Sequence, residues 1–219
     1  MRSKSAALGL LLLLTATPAA VLAAGATPPG QTDPEDEAAA AYARGLDHRD
    51  KAWKLEKERE EAEDPTVREQ LATKAQKEYE RAIRAYRAAI EDDPSLYQAY
   101  GSLGYALRKT GQYQESLQAY DQALELQPGY AEAIEYRAEA YLGLNRLDDA
   151  KEAYMQLFRD DRERADQLMA AMETWIEQRR TEAAGVDDES IESFSSWVEE
   201  RQKIAGNTAR LEVESGRTW

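Results

Sequence analysis

A period of 34 residues constrains this chain more than any other feature. Tyr86, Tyr120 and Tyr154 keep that interval, as do Ala82, Ser116 and Ala150, and Gly104 is followed in phase by Ala138. Pro94 and Pro128 are spaced in the same way. Within one interval the apolar residues fall twice at the three-and-four spacing of a helix face. Tyr100, Leu103, Gly104 and Leu107 mark one face, and Tyr113, Leu117, Tyr120, Ala123 and Leu124 mark a second. Gly111 and Gln112 make the turn between them, and Pro128 stops the second helix. Gly104 and Ser116 are small where the two helices must cross. Helix–turn–helix units repeating at this length stack into an array, each burying its apolar face against the next.

The pattern resembles the tetratricopeptide repeat (TPR) family. Its W-x2-L-G-x2-Y…A-x3-F…P signature reads here as Tyr100-x2-Leu103-Gly104-x2-Leu107…Ser116-x3-Tyr120…Pro128. The resemblance spans about residues 38–161 and is closest over 79–157. It implies an all-α fold, a short array of about three units closed by C-terminal capping helices. Residues 95–128 and 129–162 form two units, the latter with Gly143-Leu144-Asn145 as its turn. Arg162 stands where the third unit would carry its proline, so an unusual end to that helix is expected. Residues 163–180, with Leu168, Met169, Met172, Trp175 and Ile176 on one face, should cap the open end. Residues 187–206 form one more helix with Ile191, Phe194, Trp197, Val198 and Ile204 inward, and 207–219 read as a loose tail.

Residues 38–92 read as a first unit whose two helices are extended into a charged stalk and joined at Glu63-Asp64-Pro65. Tyr42, Leu46, Arg49 and Trp53 mark the expected inner face of its first helix. Val67, Leu71, Ala75, Tyr79, Ala82, Ile83, Tyr86 and Ile90 mark that of its second. Folding the pair about Asp64 sets Gly45 opposite Ala82. Residues 24–37, rich in Gly, Pro and acid without apolar period, read as a disordered linker. Before it, Arg2 and Lys4, an apolar run and Val21-Leu22-Ala23 have the layout of a secretory signal over residues 1–23. Cleavage is expected after Ala23, with Ala24 and Ala26 as rivals, and an exported protein follows, periplasmic or else secreted. The alternative is an uncleaved anchor, which Gly9, Thr15, Thr17 and Pro18 weaken as a span of a bilayer about 30 Å thick.

The 28 basic and 42 acidic residues leave a net charge of −14, which argues against a nucleic-acid backbone or an anionic membrane as partner. Without cysteine there is neither disulfide nor thiol chemistry. His48 is the lone histidine, expected to be solvated, and one histidine builds no zinc site or triad. No cofactor, metal or catalytic residue is expected.

The resemblance further implies that the first helix of each unit lines the concave side. There the outward residues are Gln98, Gly101, Tyr105, Arg108 and Lys109 in one unit, and Glu132, Glu135, Tyr136 and Glu139 in the next. Some TPR proteins clamp a C-terminal carboxylate with Lys and Asn at such positions. Gly101, Tyr105, Glu135 and Glu139 occupy those places here, so that clamp is not carried over. The expected groove consists of Gln98, Tyr105, Arg108, Glu132, Glu135, Tyr136 and Glu139, with the three glutamates on one stripe, as a binding surface or as an ordinary solvated one. A basic or neutral protein segment is its expected partner, and the expected function is a non-catalytic envelope adaptor. A structural oligomer pairing through the stalk or terminal helices, and an accessory subunit of an envelope enzyme complex, are the alternatives.

Overall fold

The computed structural model describes residues 33–215, and side chains as far as residue 208. The expected signal segment and most of the linker lie outside the described residues. Within them the helices are α1 (Pro34–Glu61), α2 (Pro65–Asp92), α3 (Tyr97–Lys109), α4 (Tyr113–Leu126), α5 (Ala131–Gly143), α6 (Leu147–Asp160), α7 (Arg162–Thr181) and α8 (Asp188–Ser215). They form hairpins α1–α2, α3–α4 and α5–α6, each packed on the one before, with α7 on α5 and α6 and α8 on α7. Among the described residues no helix is long and apolar enough to cross a membrane.

The repeat is built on a tyrosine set against a small residue. Tyr86, Tyr120 and Tyr154, from the second helix of each hairpin, are 0%, 0% and 1% exposed. A Cβ added at Gly104 would lie 2.7 Å from the Tyr120 ring, and one at Gly45 would lie 2.3 Å from the Tyr86 ring. The glycines therefore let the ring lie directly on helix backbone. At the crossing the atoms nearest Gly45 are those of the Tyr86 ring, and Ala82, one turn earlier on α2, is 0% exposed. Gly104→Leu should destabilise the fold by about 1–3 kcal/mol through overpacking. Ala138→Leu, in phase on α5 and 0% exposed, should behave alike. Unchanged denaturation midpoints for both variants would refute this account of the crossing.

The helix ends also repeat. Asp93, Gln127 and Asp161 all leave the helical region, with φ of −135°, −136° and −152°, and their N–H groups bond to Ala89, Ala123 and Leu157. The third unit therefore ends like the others without a proline, contrary to expectation. What differs is the next step: Asp161 is also the N-cap of α7, its carboxylate accepting from Arg164 N at 3.1 Å, and Arg162 is the first residue of that helix. Gly111 and Asn145, 34 apart, take the left-handed conformation at φ 77° and 58°. Gln112 N and Arg146 N close the two turns onto Leu107 O and Tyr141 O at 2.9 and 2.8 Å.

Two boundaries move. The expected linker ran to residue 37, but α1 already begins at Pro34, with Asp33 capping Glu35 N and Glu35, Asp36 and Glu37 in the first turn. Proline and acids there are helix-start chemistry, favoured by the free N–H groups and the dipole. The expected tail also starts too early, since α8 runs on to Ser215. Residues 207–215 contain no proline or glycine and have Ala, Arg, Leu and Glu to carry the helix on.

On α1 the buried stripe is Ala38, Ala41, Gly45 and Ala52. Tyr42, Leu46 and Arg49 are half-buried at its flank and Trp53 is 42% exposed, so the expected inner face is displaced. Small residues win the seam because they let α2 approach closely. His48 is not solvated either: its Nδ1 is 2.7 Å from Glu78 Oε2 on α2.

Candidate functional site

The first helices α1, α3, α5 and α7 meet along one side, and their outward residues are joined by rings and ion pairs. Trp53 of α1 stands edge-on to Tyr105 of α3, with centroids 5.9 Å apart, and Tyr105 is 5.1 Å from Tyr136 of α5. The Trp53 indole N–H donates to the Tyr105 hydroxyl at 2.6 Å. Three rings from three successive units thus form one strip. It lines a cleft together with Arg49, Ser102, Tyr130 and Glu132. Gly101 is needed here, since a Cβ would lie 2.7 Å from the Tyr130 ring that closes the cleft floor. It is buried, yet it lines the cleft.

Most charges on this face are neutralised within it. Arg108 Nη1 reaches Glu139 Oε2 at 2.6 Å and its guanidinium lies 5.2 and 5.3 Å from the Tyr105 and Tyr136 rings. Arg164 Nη1 of α7 reaches Glu135 Oε2 at 2.6 Å. Lys109 Nζ is 2.8 Å from Glu56, which also accepts from the Tyr79 hydroxyl at 2.9 Å. Arg49 donates from Nε and Nη2 to Asp50 at 2.9 and 2.7 Å while lying 4.2 Å over Trp53. Burial pushes the Tyr79 hydroxyl far above its ordinary range, with Glu56 adding to the effect, so it remains a donor.

The solvated stripe of Glu132, Glu135 and Glu139 is therefore corrected. Glu135 is 4% exposed. Burial raises its carboxyl above the usual range, and Arg164 works against that rise. Glu139 is tied to Arg108. Glu132 alone keeps an open carboxylate, its side chain 42% exposed and 3.9 Å from Arg164. Helix periodicity could not show this, because the cations come from α3 and from α7. Of the other expected groove residues, Tyr105 and Tyr136 line the cleft, whereas Gln98 is half-buried on α3 and does not. Arg49, Trp53, Ser102 and Tyr130 were missed. The cue was available in the small residues of α1: once Ala38, Ala41, Gly45 and Ala52 define the seam, Arg49 and Trp53 fall beside it.

Among the described residues no group of three or more His, Cys, Asp or Glu side chains is arranged to hold a metal ion. The face offers rings, hydroxyls and paired charges, which suit binding.

Two tetratricopeptide repeat family models match the chain, over residues 72–131 and 107–172. No curated protein matches it. Among solved structures it is similar to the first TPR of Spaghetti (RPAP3) bound to an HSP90 peptide, at 18% identity, TM-score 0.43, covering 61% of this chain and 94% of that one. It is also similar to the TPR2B domain of yeast Sti1 in a pHsp70 complex, at 12% identity, TM-score 0.35, covering 73% of this chain and 98% of that one.

Proposed function

We propose, from the tetratricopeptide repeat models that match residues 72–131 and 107–172, that this chain is a non-catalytic adaptor of the cell envelope that holds a protein segment against the first-helix face. The observation that carries the reading is the strip of Trp53, Tyr105 and Tyr136. Trp53 is 42% exposed with Tyr105 and Tyr136 half-buried beside it, and contiguous rings that reach the surface mark interaction sites. The strip crosses three units, the length an extended segment would follow. Placement in the envelope rests on the signal-like sequence of residues 1–23.

The test is photo-crosslinking in the native cell, with a photoreactive amino acid at Trp53 and, as control, at the exposed Gln118 of α4. A discrete protein adduct from Trp53 and none from Gln118 is expected, recovered after osmotic shock. Equal adducts from both sites, or none from Trp53, would remove the binding role from this face. An adduct found only with cytoplasmic material would remove the envelope placement.

A further inference from the structure

The cleft between α1, α3 and α5 has more chemistry than a general adaptor surface requires. Four rings border it, from Trp53, Tyr105, Tyr130 and Tyr136. The face of such a ring attracts a cation. The charges nearby do not cancel. Arg49 is matched by Asp50 and Arg108 by Glu139, but Arg164 is shared between Glu135 at 2.6 Å and Glu132 at 3.9 Å. One negative charge is left over, and it sits on Glu132, at the cleft and open to water. The Tyr130 hydroxyl, 3.4 Å away, points to the same carboxylate.

We propose that this cleft takes one arginine side chain of the bound partner, its guanidinium lying against the bordering rings and its outer edge paired with Glu132. A guanidinium fits better than an ammonium because it is flat, weakly hydrated and able to stack while it hydrogen-bonds. Arginines of this chain already lie against three of these rings, Arg49 4.2 Å from Trp53, Arg108 5.2 and 5.3 Å from Tyr105 and Tyr136, and Arg164 5.9 Å from Tyr136. The charge left on Glu132 calls for a further cation, and a chain of net charge −14 draws basic segments toward it. This inference rests on the adaptor reading and narrows it to a ligand chemistry. It also replaces a carboxylate-ended ligand with its opposite in sign.

The experiment uses an acetylated, amidated alanine pentapeptide with a central arginine, and a second peptide with citrulline in its place. Citrulline keeps the shape of arginine and loses the charge. Binding is followed through the indole N–H signal of Trp53 in a nitrogen–proton correlation spectrum of the full chain, assigned with Trp53→Phe. The arginine peptide should move that signal in a saturable way, and citrulline should weaken binding roughly ten-fold. Glu132→Gln, at an exposed position, should fold normally and weaken the arginine peptide about five-fold, with little effect on the citrulline peptide. Equal binding of both peptides, no movement of Trp53, or indifference to Glu132→Gln would overturn the proposal. A partner that crosslinks at Trp53 while the arginine peptide leaves its signal unmoved would sink this inference and leave the adaptor reading standing.

Discussion

Trp175→Ala is expected to cost about 3–5 kcal/mol, the range for removing a large buried aromatic side chain. Trp175 is 4% exposed and belongs to α7, yet its contacts tie three helices together. Its indole N–H donates to the carbonyl of Leu142 at 2.8 Å, in the last turn of α5. Carbonyls there have no partner within their own helix, so the indole satisfies a group that burial would otherwise leave unpaired. Its ring meets Phe194 of α8 edge-on at 5.3 Å. Alanine would open a cavity, orphan the carbonyl and loosen α8 in one step. Trp175→Phe separates the parts, keeping most of the ring contact and losing the hydrogen bond, and should cost about 1–3 kcal/mol. Urea denaturation followed by far-ultraviolet dichroism gives both numbers. A Trp175→Ala midpoint equivalent to less than about 1 kcal/mol of loss would mean that α7 does not hold the end of the array. Ending the chain after Asp161 makes the same point more bluntly, by exposing the α5–α6 face that Leu168 and Met172, both 0% exposed, now cover.

That α7 caps the array could be read from Leu168, Met172, Trp175 and Ile176 at helical spacing. The third partner of Trp175 could not, because a hydrogen bond from an indole to a backbone carbonyl thirty-three residues earlier leaves no periodic trace. The same division runs through the molecule. The repeat of Tyr86, Tyr120 and Tyr154 was legible since it arises from one packing solution used three times. The left-handed position after α3 and after α5 was only half legible, because Gly111 announces it and Asn145 does so more weakly. On α1 the reading failed for a physical reason. Large residues at helical spacing point to the core, whereas close packing against α2 favours the alanines and Gly45 and leaves Arg49 and Trp53 on the first-helix face. The charges failed for another: whether a glutamate is a solvated rim group or half of a buried pair depends on what the neighbouring helix brings to it.

Glu135 is where that second failure has the largest consequence. Exposed charges can be reversed with little effect on stability, but the side-chain exposures of the Arg164–Glu135 pair are 27% and 5%. Removing one partner of such a pair leaves the other buried without compensation, at about 3–5 kcal/mol. Arg164→Met keeps the apolar stem and takes away the charge, and about 3 kcal/mol of destabilisation at neutral pH is expected, since the arginine is partly solvated. The loss should depend on pH in a definite direction. Burial raises the Glu135 carboxyl above its ordinary range in the folded chain, and Arg164 opposes the rise. Without Arg164 the folded value must rise further, while the unfolded value stays ordinary. Between those two values the folded state holds the extra proton, so stability falls as pH increases through that window. The deficit of Arg164→Met should therefore be small below the ordinary carboxylate value and open as pH rises through the elevated folded one. Adding Glu135→Gln to the variant removes the charge that needs a partner. It should recover part of the loss at neutral pH and flatten the profile, a non-additive result that only directly coupled groups give. Denaturant midpoints across pH 4 to 8 for wild type, each single variant and the double variant supply the cycle. A deficit that stays level with pH, or two losses that simply add, would show that Arg164 holds α7 by packing alone and that the charge on Glu135 is carried by water.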